Sequence, residues 1–174
     1  VRVAASGGGH TMKADGELLD GEDSFSAPVL DVHEFLANRG LSDSFQQALR
    51  PLPCTVAYHD ACHMIHGQGI AVQPRDLLRA IPQLRLKEAT EAGVCCGSAG
   101  IYNLVQPDEA AELGQLKADD LSSTGAEIVA SANIGCSLQL RRYLSQDGPK
   151  VEHPMELLAR SAGVGPFSAT PSRS

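Results

Sequence analysis

Four of the five cysteines follow the pattern C-x32-C-C-x39-C, as Cys62, the doublet Cys95-Cys96, and Cys136. The outer two lie in His59-Asp60-Ala61-Cys62-His63 and Asn133-Ile134-Gly135-Cys136, and Gly97 follows the doublet. Neighbouring Cα atoms are only about 3.8 Å apart and their side chains diverge, so one ion is poorly served by both members of a doublet. A disulfide between them is strained. A multi-iron cluster presents several iron atoms to thiolates arriving from different directions. Four soft thiolates gathered by folding suffice for one [4Fe–4S] cluster, which makes Cys62, Cys95, Cys96 and Cys136 the expected ligands. Cys54 falls in a β-branched run and reads as a packed residue.

Other chemistries compete for the same residues. His59, His63 and His66 surround Cys62, which raises a zinc site of mixed Cys/His type. The adjacency of Cys95 and Cys96 suits a tetrahedral ion badly, so the histidines are expected to serve outside the ligand set. There an imidazole, His63 first among them, hydrogen-bonds to sulfur and tunes a reduction potential. Gly93-Val94-Cys95-Cys96-Gly97 has the glycine spacing of a nucleophile elbow, with Cys95 as nucleophile and His153 as base. That reading leaves Cys62, Cys96 and Cys136 unexplained. Gly7-Gly8-Gly9 lacks both the dinucleotide and the P-loop register and reads as a turn needing positive φ. No pair of carboxylates stands out as general acid and base, and no catalytic residue is assigned.

The elements that must position these residues alternate between short apolar runs and helical patterns. Strands are expected over 1–6, 54–59, 84–87, 127–130 and 150–153. Helices are expected over 31–38, 42–49 (Ser42 as N-cap, Pro51 as stop), 74–81, 107–124, 137–144 and 154–160. The helix over 107–124 is the clearest, opening with Pro107, Asp108 and Glu109 and stopping at Gly125. Its apolar stripe reads Ala110, Leu113, Leu116 and Leu121. Residues 14–28 read as an acidic exposed connection, 60–69 as a loop, and Cys95–Ala99 as a tight turn. The alternation predicts an α/β fold, a mostly parallel sheet with helices on both faces. In such sheets sites collect at the carboxyl ends of strands, where all four cysteines fall.

At 174 residues the chain is long enough for a domain with a sizeable core. A net charge of −7, 4% aromatics and no tryptophan argue against nucleic acid as a partner. No run of about 18 apolar residues is present to span a membrane, and the apolar start is too short for a signal peptide. An odd cysteine count at long spacings fits a reducing cytoplasm better than a secreted disulfide scaffold. The strand-like opening without methionine reads as a piece of a longer chain.

Three stretches carry a family resemblance: Tyr58-His-Asp-Ala-Cys62-His63, Cys95-Cys-Gly-Ser-Ala-Gly-Ile-Tyr-Asn-Leu104 and Ala132-Asn-Ile-Gly-Cys136. They resemble the second cysteine-rich (CCG) repeat of the glycolate oxidase iron–sulfur subunit. The wider superfamily takes in lactate-utilisation iron–sulfur proteins, the anaerobic glycerol-3-phosphate dehydrogenase small subunit and heterodisulfide reductase B. Ile101-Tyr-Asn-Leu104 and Leu77-Leu-Arg-Ala-Ile-Pro82 point to the glycolate oxidase branch. The resemblance implies a Rossmann-like cysteine-rich domain over 51–164. Residues 1–50 would be the end of a preceding repeat plus connecting helices, and 165–174 a disordered tail. It further implies a [4Fe–4S] cluster on Cys62, Cys95, Cys96 and Cys136, with zinc as the alternative. FAD would sit only on a partner flavin-containing dehydrogenase subunit, and a quinone-type molecule would accept the electrons. A complex of that kind is cytoplasmic, with peripheral attachment to a membrane through its partners. Two departures are visible. Gly8 stands where the first repeat has a cysteine, and Gln139 stands where heterodisulfide reductase ends Cys-x-x-Cys. The second weakens a five-cysteine noncubane arrangement and a thiol/disulfide reductase role, while four thiolates remain.

Overall fold

A computed structural model describes residues 1–18 and 29–164. The tail expected over 165–174, and 19–28 of the acidic connection, lie outside the described residues. Four strands form the main sheet: β3 (Thr55–His59), β4 (Arg85–Glu88), β5 (Ile128–Ser131) and β6 (Lys150–Glu152). They run parallel in the order β4-β3-β5-β6. The first strand in sequence therefore lies inside the sheet, and the direction of winding reverses between β3 and β5. Loops leaving the carboxyl ends of those two strands part there and open a crevice. A smaller parallel pair, β1 (Arg2–Val3) and β2 (Leu30–Asp31), stands apart.

Helices cover both faces of the main sheet, as the alternating pattern predicts. Because side chains alternate along a strand, β3 and β5 send Ala57 and Val129 to one face and Val56, Tyr58, Ile128 and Ala130 to the other. On the first face pack α4 (Cys62–Gln68), α7 (Pro107–Ser123) and α8 (Ile134–Tyr143) through Met64, Leu121 and Leu140. On the second pack α5 (Gln73–Arg79) and α9 (Pro154–Ser161) through Leu78, Leu157 and Leu158. The remaining helices are α1 (Ser6–Leu18), α2 (Val32–Arg39), α3 (Asp43–Ala48) and the single turn α6 (Tyr102–Val105).

Local rules account for most boundaries. Ser42 caps α3 through a bond from the Phe45 amide, and Asp31 caps α2 by accepting from the His33 amide. Pro107 opens α7 and Pro154 opens α9.

Five expectations need correction. Residues 14–18 are not part of a connection but the end of α1. Residues 60–69 are not a loop throughout, because α4 begins at Cys62 and ends in left-handed Gly69. Gly7-Gly8-Gly9 is not a positive-φ turn but the first turn of α1. The α8 helix starts at Ile134 rather than Ser137, so Cys136 sits in its first turn. The buried stripe of α7 is Ala110, Gly114, Lys117, Ala118 and Leu121, whereas Leu116 is exposed.

The N-terminal segment is tied to the main sheet at its carboxyl end. The Ser6 amide donates to the Ala132 carbonyl at 3.2 Å, and His153 Nε2 lies 2.8 Å from the Ala4 carbonyl. These bonds seat the start of α1 beside the crevice.

Candidate metal centre

Three strand ends deliver the cysteines. After β3 the chain turns through Asp60 and Ala61 and enters α4 at Cys62. After β4 it runs through 89–94 to Cys95 and Cys96. After β5 it passes Asn133, whose side chain caps α8 at the Gly135 amide, and reaches Cys136 within the first turn. The partial positive charge at a helix N-terminus favours a thiolate there.

The doublet is held in a turn that few residues could form. Gly97, Ala99 and Gly100 all have positive φ, at 81°, 27° and 66°. A Cβ on Gly97 would stand 2.4 Å from the Ala110 carbonyl oxygen, so glycine is required for the turn to lie against α7. The segment before the doublet is gripped from α7 as well. Buried Lys117 donates from Nζ to the Glu91 and Ala92 carbonyls at 2.5 and 3.2 Å. Asp120 accepts from the Thr90 and Glu91 amides at 3.0 and 3.1 Å. A lysine on the apolar stripe of a helix is the sequence signal that could have revealed this brace. Its position four residues from both Leu113 and Leu121 gives it away.

The four expected ligands come together. Thiol–thiol contacts run from Cys62 to Cys95, from Cys95 to Cys96 and from Cys96 to Cys136. The doublet divides, with Cys95 turned to Cys62 and Cys96 to Cys136. Crowding shows in the acidities. The Cys96 contact first, then burial, pushes the Cys95 thiol well above its ordinary range. The Cys136 contact pushes Cys96 up to about 12, and burial followed by Cys95 raises Cys62. Along the series Cys136 opposes ionisation of Cys96, Cys96 that of Cys95 and Cys95 that of Cys62, a penalty that a cation in their midst removes. Cys54 stays out, packed in the core of the opposite face.

The histidines separate. His59, the last residue of β3, points to the same face as Ala57. It is 1% exposed, and neither ring nitrogen has a hydrogen-bond partner. One of its ring nitrogens and the sulfurs of Cys96 and Cys136 all lie within 4.8 Å of one another. Burial, reinforced by Lys117, lowers its pKa to about 4, so the imidazole is neutral at ordinary pH. His63 is half-buried, with Nδ1 3.6 Å from Cys62 Sγ and its ring 5.7 Å from that of His10. His66 is exposed. His153 is engaged elsewhere, Nδ1 accepting from the Met155 amide and Nε2 facing Ala4, so no base faces Cys95 from that side.

A cavity of about 260 Å³ opens beside the thiols, lined by Cys62, Cys136 and His63 together with Gly7 and Thr11 of α1 and the Ser98–Gly100 turn, whereas Cys95, Cys96 and His59 are not among the residues that line it. The residues present fit an iron–sulfur group on two counts. The donors are four soft thiols converging from separate loops. The buried imidazole beside them has no other partner, which leaves it in need of one.

Comparisons with known proteins agree with this chemistry. Residues 56–141 match the family model of the CCG cysteine-rich domain. The chain is similar to a subunit of the fumarate reductase (CoM/CoB) of Methanothermobacter marburgensis, at 35% identity over 91% of this chain and 31% of that protein. It is similar to the probable glycolate oxidase iron-sulfur subunit of Bacillus subtilis, at 31% identity over 88% of this chain and 35% of that one. It is also similar to a subunit of the dihydromethanophenazine:CoB–CoM heterodisulfide reductase of Methanosarcina barkeri, at 31% identity over 94% of this chain and 41% of that one. The chain thus spans between 31% and 41% of the length of these relatives.

Proposed function

Residues 56–141 belong to the CCG cysteine-rich domain family, and from that premise we propose that this chain is an iron–sulfur electron-transfer domain of a glycolate-type (2-hydroxy acid) oxidase complex. Residues 51–164 are then its second cysteine-rich repeat, and residues 1–50 the end of a preceding one with its connecting helices. In this reading Cys62, Cys95, Cys96 and Cys136 hold a [4Fe–4S] cluster, which when bound supplies a one-electron store. Flavin-containing dehydrogenase subunits are the electron donors, and a quinone-type molecule is the acceptor. The names of the Bacillus subtilis and Methanosarcina barkeri relatives support a place in a multi-subunit oxidoreductase.

The observation that supports the reading is the chain of neighbouring thiols, Cys62 to Cys95 to Cys96 to Cys136, brought from three strand ends beside a cavity that Cys62 and Cys136 line. The chain's own residues prepare that pocket. Lys117 and Asp120 fix the segment before the doublet, and Gly97 lets the turn press on α7. The Gly97 amide donates to Cys95 Sγ at 3.4 Å, and such amide–sulfur bonds raise a cluster's potential. His63 lies against Cys62 at the cavity mouth, where it can donate to that sulfur. No helix among the described residues is long and apolar enough to cross a membrane.

Anaerobic reconstitution with iron and sulfide tests the reading. About four iron per chain and a reduced-cluster EPR signal are expected. One zinc per chain with no iron uptake would overturn it in favour of a structural module. A thiol/disulfide reductase is the second reading, favoured by the heterodisulfide reductase relative. It predicts turnover of a mixed disulfide by the loaded domain.

A further inference from the structure

Beside the buried thiols of Cys96 and Cys136 stands a fifth donor that the four-cysteine assignment leaves idle. His59 is nine-tenths buried or more, carries two ring nitrogens without partners, and stands within 4.8 Å of the Cys96 and Cys136 sulfurs. A buried polar group left unsatisfied costs about 1–3 kcal/mol, and none of the described protein groups relieves this one. A neutral imidazole has one N–H and one lone pair. Cysteines that bind metal are thiolates, which accept the N–H and never the lone pair. A metal atom held by the neighbouring thiolates would satisfy that lone pair, and imidazole is an accepted ligand of iron beside thiolates. Two donors on one ion stand no further apart than the sum of their bonds, roughly 4.4 Å for nitrogen and sulfur on a zinc-sized ion. At a tetrahedral angle the same bonds put nitrogen and sulfur about 3.6 Å apart, so a spacing within 4.8 Å closes with an adjustment of about 1 Å at most.

The other candidates for a fifth donor are occupied. Gln139, one turn beyond Cys136, gives its Nε2 to the Ala110 carbonyl at 3.1 Å. Its Oε1 accepts from Asn103 Nδ2 at 3.3 Å. His63 faces Cys62 and His10 and is not among the groups close to Cys96 and Cys136.

We propose that His59 is a protein ligand of the metal centre, its ring nitrogen binding metal alongside Cys96 and Cys136. The pocket is then a mixed thiolate–imidazole site with five donors. This rests on the iron–sulfur reading above and adds to it a ligand outside the four cysteines.

The test uses the chain labelled with ¹⁵N-histidine, loaded anaerobically with iron and sulfide and then reduced. Pulsed EPR should show hyperfine coupling from a directly bound histidine nitrogen. That coupling should vanish in His59→Cys, which retains iron and whose midpoint potential should move lower, as thiolate replaces imidazole. It should persist in His63→Ala and His10→Ala. Iron uptake with no coupled histidine nitrogen in the unmodified chain overturns the His59 assignment alone, and needs no variant to fold. Coupling that survives in His59→Cys, or disappears in His63→Ala, overturns it equally. A chain that takes up no iron overturns both this assignment and the electron-transfer reading.

Discussion

On the thiol-bearing face of the main sheet the core is built from Ala57, Ala61, Ala89, Ala126 and Ala132 with Cys96 and Cys136, and only a few large side chains such as Met64, Leu121 and Leu140. On the opposite face Val56, Tyr58, Leu78, Ile81, Ile128, Leu157 and Leu158 fill the space, with Cys54 as one packed residue among them. Small side chains on the first face leave room for the cavity and let the loops come close to the strand ends. Large branched and aromatic side chains on the second bury more apolar area per residue, and hydrophobic stabilisation scales with that area. The polar burial differs in kind: His59 and Lys117 lie on the thiol side, whereas the buried Asp31–His33 pair lies at the start of α2, which packs with the opposite face. One face therefore holds the sheet together while the other trades packing for chemistry, and the two roles are separable by mutation.

The largest effects should come from one substitution on each face. Cys136→Ser is expected to abolish iron uptake while changing the stability of the metal-free chain by about 1 kcal/mol. Leu157→Ala removes a fully buried side chain from the opposite face and is expected to cost about 2–5 kcal/mol in urea unfolding with iron uptake intact. Loss of iron uptake in Leu157→Ala at urea-free, low temperature would show that the two faces do not act independently.

Acid should weaken the thiol face through His59, while His153, whose pKa burial also lowers, adds a separate contribution at the start of α9. In the folded metal-free chain the His59 pKa is lowered to about 4 by burial and by Lys117, against 6.5 for an unperturbed histidine. Between those values the unfolded chain binds the proton and the folded one does not. Stability from this group is thus complete above about pH 6.5 and is lost as pH falls towards 4, by about 3 kcal/mol in all. The urea midpoint of the metal-free chain should fall through that window. The fall should flatten in His59→Gln, and an unchanged slope in that variant would remove His59 as its source.

The same asymmetry decides what was legible in the sequence. The opposite face follows from alternation alone, and its strands and helices lie within a residue or two of where the pattern puts them. The four cysteines were legible because a doublet with two distant partners, all after strands, has few other uses. Residues shaped by tertiary contacts on the thiol face were not legible. Cys62–Gln68 is helical although Ala61 offers no side-chain cap and only Met64 of that helix is buried, so periodicity carried no signal. Lys117 takes a stripe position and Leu116 faces solvent, because the carbonyls of Glu91 and Ala92 need a buried donor. His59 was visible as one of three histidines near Cys62, but only the strand register separates it from the other two.

The smallest expected effect has the opposite sign and probes the glycines that open α1 above the cavity. Three successive glycines disfavour a helix by about 1 kcal/mol each relative to alanine, yet these are helical, seated by the bond from the Ser6 amide to Ala132. They are not equivalent. A Cβ on Gly7 would stand 3.3 Å from Asn133 Nδ2, a tight approach to the residue that caps α8, whereas a Cβ on Gly8 would meet nothing within 4 Å. Gly8→Ala should therefore stabilise the chain by about 0.5–1 kcal/mol, chiefly by restricting the unfolded state. Gly7→Ala should gain less, because Asn133 must give way. Urea midpoints of the two variants decide the matter. A loss of stability in Gly8→Ala would mean that this residue needs the left-handed backbone of a turn, and that α1 does not begin at the edge of the thiol pocket.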